Sequence, residues 1–162
     1  MNLLLVDDHP LFGLGFAQAL TAAAPDMQVL TALSLAEGLA LATAHADLDI
    51  VLVDYHLGVH NGIEGLRRFG QQFPLVARVL ISGDETPTLL AAARSAGASG
   101  FLGKSQPLAL MLSSLQTVAE GGLAFGSIPR HELPAVSATA APLPTLRQLE
   151  VLAMLAHGQP NK

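Results

Sequence analysis

The chain has 162 residues, of which 51% are hydrophobic and only 13% charged, with a net charge of -5 and no cysteine. That balance describes a folded domain with a sizeable core plus an appendage, and it excludes a disordered chain. The missing cysteines exclude disulfides, thiolate metal sites and a cysteine nucleophile, and the acidic charge argues against strong nucleic-acid binding by this chain alone.

Taken in chain order, the sequence alternates strand-like and helix-like segments. A first strand is expected over about 2–6, where the apolar run Leu3-Leu4-Leu5-Val6 stops at the acid pair Asp7-Asp8. That opening is too short for a signal peptide, and no apolar stretch reaches the roughly 18 residues of a membrane span, so a cytoplasmic protein with no membrane contact is expected. A helix follows over about 10–23; it contains Gly13-x-Gly15, read as a place of close helix packing. Next come a strand at 27–32 and a helix at 34–45. The strand at 49–54 repeats the opening theme, because Ile50-Val51-Leu52-Val53 ends in Asp54. Beyond it lie a helix at 62–73, a strand at 77–82 ending in Ser82-Gly83, and a helix at 85–96. A strand at 99–102 is followed by Gly103-Lys104, and a last helix occupies 107–120. Near-continuous apolar strands point to a sheet covered on both faces, and the helical connections point to right-handed βαβ units in a doubly wound parallel sheet.

In such a sheet the C-terminal strand ends share one edge, where ligands bind. Asp7, Asp8 and Asp54 gathered there would repel one another unless a cation neutralised them, and a hard oxygen-liganded ion, Mg²⁺, fits best. Ser82 and Lys104 add a hydroxyl and an ammonium to the same rim. Together these groups supply what phosphoryl transfer needs: an acceptor nucleophile, a metal and donors for the equatorial oxygens. His56 and His60 lie close to the acids in sequence, which leaves open a transition-metal site.

Residues 121–144 change character, with Gly121-Gly122, Gly126, Pro129, Pro134, Pro142 and Pro144, and read as a linker. Order is expected to return at Thr145, where Thr145 and Gln148 have capping-box spacing and leucines follow at helical intervals, predicting a helix over about 146–157.

On these residues the chain resembles a response-regulator receiver domain of the NarL/FixJ type. The opening Val6-Asp7-Asp8-His9-Pro10-Leu11-Phe12 is similar to that subfamily's start, and Asp54, Ser82, Phe101 and Lys104 fit its spacings. Thr145-Leu146-Arg147-Gln148-Leu149-Glu150-Val151-Leu152 resembles the first helix of a LuxR-type helix-turn-helix. The resemblance implies a flavodoxin-like five-stranded receiver over 1–122, a linker over 123–143, and over 144–162 the beginning of a DNA-binding domain. It implies that Asp54 accepts a phosphoryl group from a sensor histidine kinase. Mg²⁺ would be held by Asp7, Asp8, Asp54 and the backbone carbonyl of His56. Ser82 and Lys104 would hold the phosphoryl group, and Phe101 would act as a rotamer switch. It further implies a regulatory protein whose only catalysis is its own phosphoryl transfer and slow self-dephosphorylation, a homodimer, and DNA contact only through a complete output domain. The family usually has proline where Gly58 stands, so a looser loop is expected after Asp54. That departure keeps a competing expectation open, a receiver-like interaction module that works without phosphorylation. A haloacid-dehalogenase-type phosphatase is a further rival, disfavoured because His56 stands where such enzymes carry a second acid.

Overall fold

The computed structural model describes residues 1–126. The expected helix 146–157, and the linker from residue 127 onward, lie outside the described residues. Five parallel strands, β1 (Asn2–Val6), β2 (Gln28–Ala32), β3 (Ile50–Asp54), β6 (Ala77–Ser82) and β7 (Gly100–Gly103), form one sheet in the order β2-β1-β3-β6-β7. A separate antiparallel ribbon pairs β4 (His56–Leu57) with β5 (His60–Asn61). The helices are α1 (Pro10–Ala23), α2 (Leu35–Ala44), α3 (Gly62–Gln72), α4 (Pro87–Ser95) and α5 (Leu108–Ala119). All five sheet strands and all five helices fall where the sequence puts them, within two residues at each end.

Because side chains alternate across a strand, each run of apolar residues feeds two cores. Leu4, Val6, Val51, Val53 and Leu80 face α2, α3 and α4, where Leu35, Leu66, Phe69, Leu89 and Leu90 complete one layer. Leu3, Leu5, Ile50, Leu52, Val79, Ile81 and Leu102 pack with Phe16 and Leu20 of α1 and Met111, Leu115 and Val118 of α5. This explains why β3 is apolar up to Asp54: both faces of the central strand are buried. No helix among the described residues is long and apolar enough to cross a membrane.

Helix starts are set locally. Thr86 accepts a hydrogen bond from the Leu89 amide at 3.1 Å while Pro87 occupies the first helical position, so α4 begins two residues later than the sequence suggested. Asn61 caps α3 through the Glu64 amide at 2.9 Å. The Gly13-x-Gly15 pair does not serve close packing. A Cβ at Gly13 would meet Leu5 at an ordinary 3.8 Å, and at Gly15 it would meet open space.

Two segments differ from expectation. The loop after Asp54 is a tight hairpin: Leu57 opposes His60, and the two residues between them begin with Gly58 at φ +61°. A left-handed first residue is what a type II′ turn requires, and proline could not supply it. The glycine therefore closes the loop into paired backbone. The folded body also runs past residue 122. The Phe101 amide donates to the Ala124 carbonyl at 2.8 Å and the Ala124 amide to Ser99 at 2.9 Å, while buried Phe125 lies under the Arg94 guanidinium.

At the N-terminal end of the strands one cation is half-buried without an acid partner among the described residues. Arg78 of β6 runs between Gly70 and Gly97, whose missing Cβ atoms leave room for its guanidinium. It donates to the Leu66 carbonyl at 3.2 Å, its Nε finds no acceptor, and burial lowers its pKa.

Candidate functional site: an acidic rim with one ammonium

Strand order gathers the polar strand ends. β1, β3, β6 and β7 are consecutive neighbours, so Asp7, Asp54, Ser82 and Lys104 come from four adjacent strands at their C-terminal ends. The sheet reverses its order between β1 and β3, the switch point at which a crevice opens. Ladder bonds continue beyond the strands and hold these residues in place: Asp7 N–H to Ala32 O at 3.0 Å, Tyr55 N–H to Ile81 O at 2.9 Å and Lys104 N–H to Ser82 O at 2.8 Å.

Asp7 and Asp54 are 2% and 1% exposed, which makes their charge costly without a partner. Lys104 supplies one. Its Nζ donates to Asp7 Oδ2 at 2.9 Å and to Asp54 Oδ2 at 3.2 Å, and it stands 4.4 Å from the centre of the Phe12 ring. Among the described residues Asp54 Oδ1 is buried with no hydrogen-bond partner. Burial first, and then the Asp7 charge, raise the Asp54 pKa, and Lys104 only partly opposes them. Burial works to lower the Lys104 pKa, but the hydrogen bond it donates to Asp7 and the charges of Asp54 and Asp7 outweigh it and raise it. Three carboxylates against one ammonium leave an excess of two negative charges at the rim, which is the demand a divalent cation meets.

One residue escaped the sequence reading. His9, at the N-cap of α1, makes no side-chain cap. Its Nδ1 lies 3.0 Å from Asp7 Oδ1, 3.0 Å from Asp8 Oδ1 and 3.8 Å from Asp54 Oδ2. Asp7, Asp8, His9 and Asp54 can each offer a ligand atom within 4.8 Å of all the others. A proline directly after a histidine was the available signal: Pro10 excludes the helical region for its predecessor, and this keeps His9 extended beside the acids.

The remaining sequence candidates are placed as follows. Ser82 is fully buried, and its Oγ accepts from the Asp84 amide at 3.0 Å. Phe101 is buried in the α4 side of the core. The His56 side chain faces Asp84 at 3.4 Å and meets the Tyr55 ring edge-on at 4.8 Å between centroids. His60 instead faces Glu64, so the two loop histidines do not form a common metal site. Gly62, also unremarked in the sequence, lets α3 start against the acid. A Cβ there would sit 2.5 Å from the Asp54 carbonyl and 2.7 Å from Tyr55 Cα.

Comparison with known proteins gives the same answer. The response regulator receiver domain family matches residues 3–116. The chain belongs to that family. The nitrate/nitrite response regulator NarL of Escherichia coli is 31% identical over 172 residues, covering 99% of this chain and 77% of NarL. A LuxR family DNA-binding response regulator from Silicibacter pomeroyi superposes with a TM-score of 0.69 at 32% identity, over 78% of this chain and 97% of that one. A response regulator from Burkholderia pseudomallei, solved with a phosphorylated aspartic acid, a calcium ion and citrate, matches with a TM-score of 0.63 at 27% identity, over 74% of this chain and 68% of that one. The receiver is a two-component regulatory domain, and its relatives are transcriptional regulators.

Proposed function

We propose that Asp54 is the phosphoacceptor of this receiver and that the acid rim is its Mg²⁺ site. The observation that carries the reading is the buried Asp54 carboxylate, held through Oδ2 by Lys104 with Oδ1 left unpartnered, beside two further acids. Hard oxygen donors and an excess of two negative charges suit Mg²⁺, which would be held by Asp7, Asp8, Asp54 and the His56 carbonyl. When bound, the ion would neutralise charge developing on the phosphoryl oxygens.

The chain's own groups do the rest. An Asp54 carboxylate oxygen forms a bond to phosphorus as the bond to the donor nitrogen of a phosphohistidine, or to the oxygen of an acyl phosphate, breaks. Lys104 follows the new negative charge from Asp54 Oδ2 to a phosphoryl oxygen, and the Ser82 hydroxyl turns from the Asp84 amide to another. Those two displacements pull on the loops after β6 and β7, and Phe101 is the core side chain on β7 through which the shift reaches the α4 face. The donor is a sensor histidine kinase. The outcome is a change in homodimerisation and in the action of a DNA-binding output domain. In this reading the receiver, expected over 1–122, takes in Ala124 and Phe125 as well, the linker follows it to residue 143, and 144–162 belong to a LuxR-type helix-turn-helix, in a cytoplasmic regulator whose only catalysis is its own phosphorylation and slow dephosphorylation.

Incubation with Mg²⁺ and an acyl phosphate, followed by intact-mass analysis, tests the proposal. We expect one phosphoryl adduct on wild type and none on Asp54→Asn. No adduct on wild type, or one retained by the variant, rejects it.

A further inference from the structure

We propose that His9 turns the acid rim into a mixed nitrogen–oxygen site that takes a transition-metal dication of the Zn²⁺ class through Nδ1, with the Asp7, Asp8 and Asp54 carboxylates, in preference to Mg²⁺. The inference rests on the rim being a cation site and adds a ligand and a metal class to it. Two ligand atoms on a tetrahedral metal with bonds of about 2.1 Å lie about 3.4 Å apart. His9 Nδ1 stands 3.0 Å from one oxygen of Asp7, 3.0 Å from one of Asp8 and 3.8 Å from Asp54 Oδ2, distances that bracket that spacing and need only small side-chain shifts to meet it. A group placed merely to cap α1 would face the helix amides, and the His9 ring makes no such bond.

A second feature points to a ligand independently of the histidine. Asp54 Oδ1 is buried without a partner, so the rim holds a donor atom that protein groups leave unsatisfied. The backbone has also fixed the ring's approach. The His9 amide donates to Asp7 Oδ1 at 2.8 Å, which folds the chain so that ring and carboxylates converge. Imidazole suits Zn²⁺, Co²⁺ and Ni²⁺, whereas Mg²⁺ demands oxygen and sheds water reluctantly. Mg²⁺ would therefore enter only with the ring turned aside, while a softer ion binds with the ring where it stands.

The test uses the full chain with Zn²⁺ or Mg²⁺ alone. Side-chain ¹H–¹⁵N spectra of the histidines, with and without one equivalent of each ion, should show the His9 Nδ1 resonance moving to the metal-bound position with Zn²⁺ and not with Mg²⁺. Calorimetry should show the ratio of Zn²⁺ to Mg²⁺ affinity falling at least tenfold in His9→Ala. His9→Asn, which keeps a favoured N-cap residue, should show the same fall if α1 is intact. A His9 resonance that ignores Zn²⁺, or a ratio unchanged in both variants, overturns the inference. The Mg²⁺-dependent adduct at Asp54 separates the two readings: an adduct with an unresponsive His9 removes the metal preference alone, and neither adduct nor metal binding removes both.

Discussion

Lys104 and Arg78 are both half-buried cations carried by neighbouring strands, at opposite ends of the same sheet, and they are held in opposite ways. Lys104 is fixed by two buried carboxylates that raise its pKa against its burial. Arg78 is fixed by a carbonyl and by space left over two glycines, and burial alone lowers its pKa. In the proposed function the first cation is held by partners it exchanges for a phosphoryl group. The second is held by shape and has nothing to exchange. Polarity at the C-terminal rim is therefore a store of displaceable interactions, and polarity at the other end is structural.

Exchanging each cation for an apolar chain of similar length should break the comparison most clearly. Lys104→Met takes the ammonium away from two buried carboxylates and should lower stability by about 3 kcal/mol, read as a fall in urea midpoint. Gly62→Ala comes next. Its Cβ would press on backbone atoms of Asp54 and Tyr55, so we expect a loss of about 2 kcal/mol by the same measurement and a slower phosphorylation rate. Asp54→Asn should move the other way. It removes one of the repelling buried acids at the cost of function, and should raise stability by about 1 kcal/mol in metal-free thermal melts. Arg78→Met should be the quiet partner of Lys104→Met, changing stability by about 0.5 kcal/mol, because a well-packed apolar chain can replace a cation that has no acid beside it.

The smallest effect sharpens the contrast with the solvated surface. Glu64 is partly exposed, and its pKa is lowered by the hydrogen bond with His60 and by Arg68. An acid whose folded pKa is lowered adds stability that is complete above the ordinary carboxylate value and is lost as pH falls through the lowered one. The urea midpoint of wild type should exceed that of Glu64→Gln slightly at neutral pH, and the difference should vanish in acid.

Most of the sheet was legible because an apolar run that ends in a charge marks a buried strand and its rim end together, as at Asp7 and Asp54. The βαβ rule fixes the hand of each connection and not the strand order, and it is the observed order β2-β1-β3-β6-β7 that turns four scattered polar residues into one site. The ribbon of β4 and β5 was not legible, since strands of two residues have no periodicity to read; the surviving signal is the glycine that starts a two-residue loop. His9 was missed for a different reason. Its role comes from the direction of one ring after a backbone turn, and sequence spacing carries no direction. Gly62 was missed because a close backbone approach is a property of two segments at once.

The Tyr55 ring, set edge-on to His56 and directly after Asp54, has an experimental consequence. The chain contains no tryptophan and one tyrosine, so its tyrosine emission comes from a single side chain, the residue after Asp54. Metal titrations and acyl-phosphate time courses can be followed by that emission on unlabelled, unmutated protein.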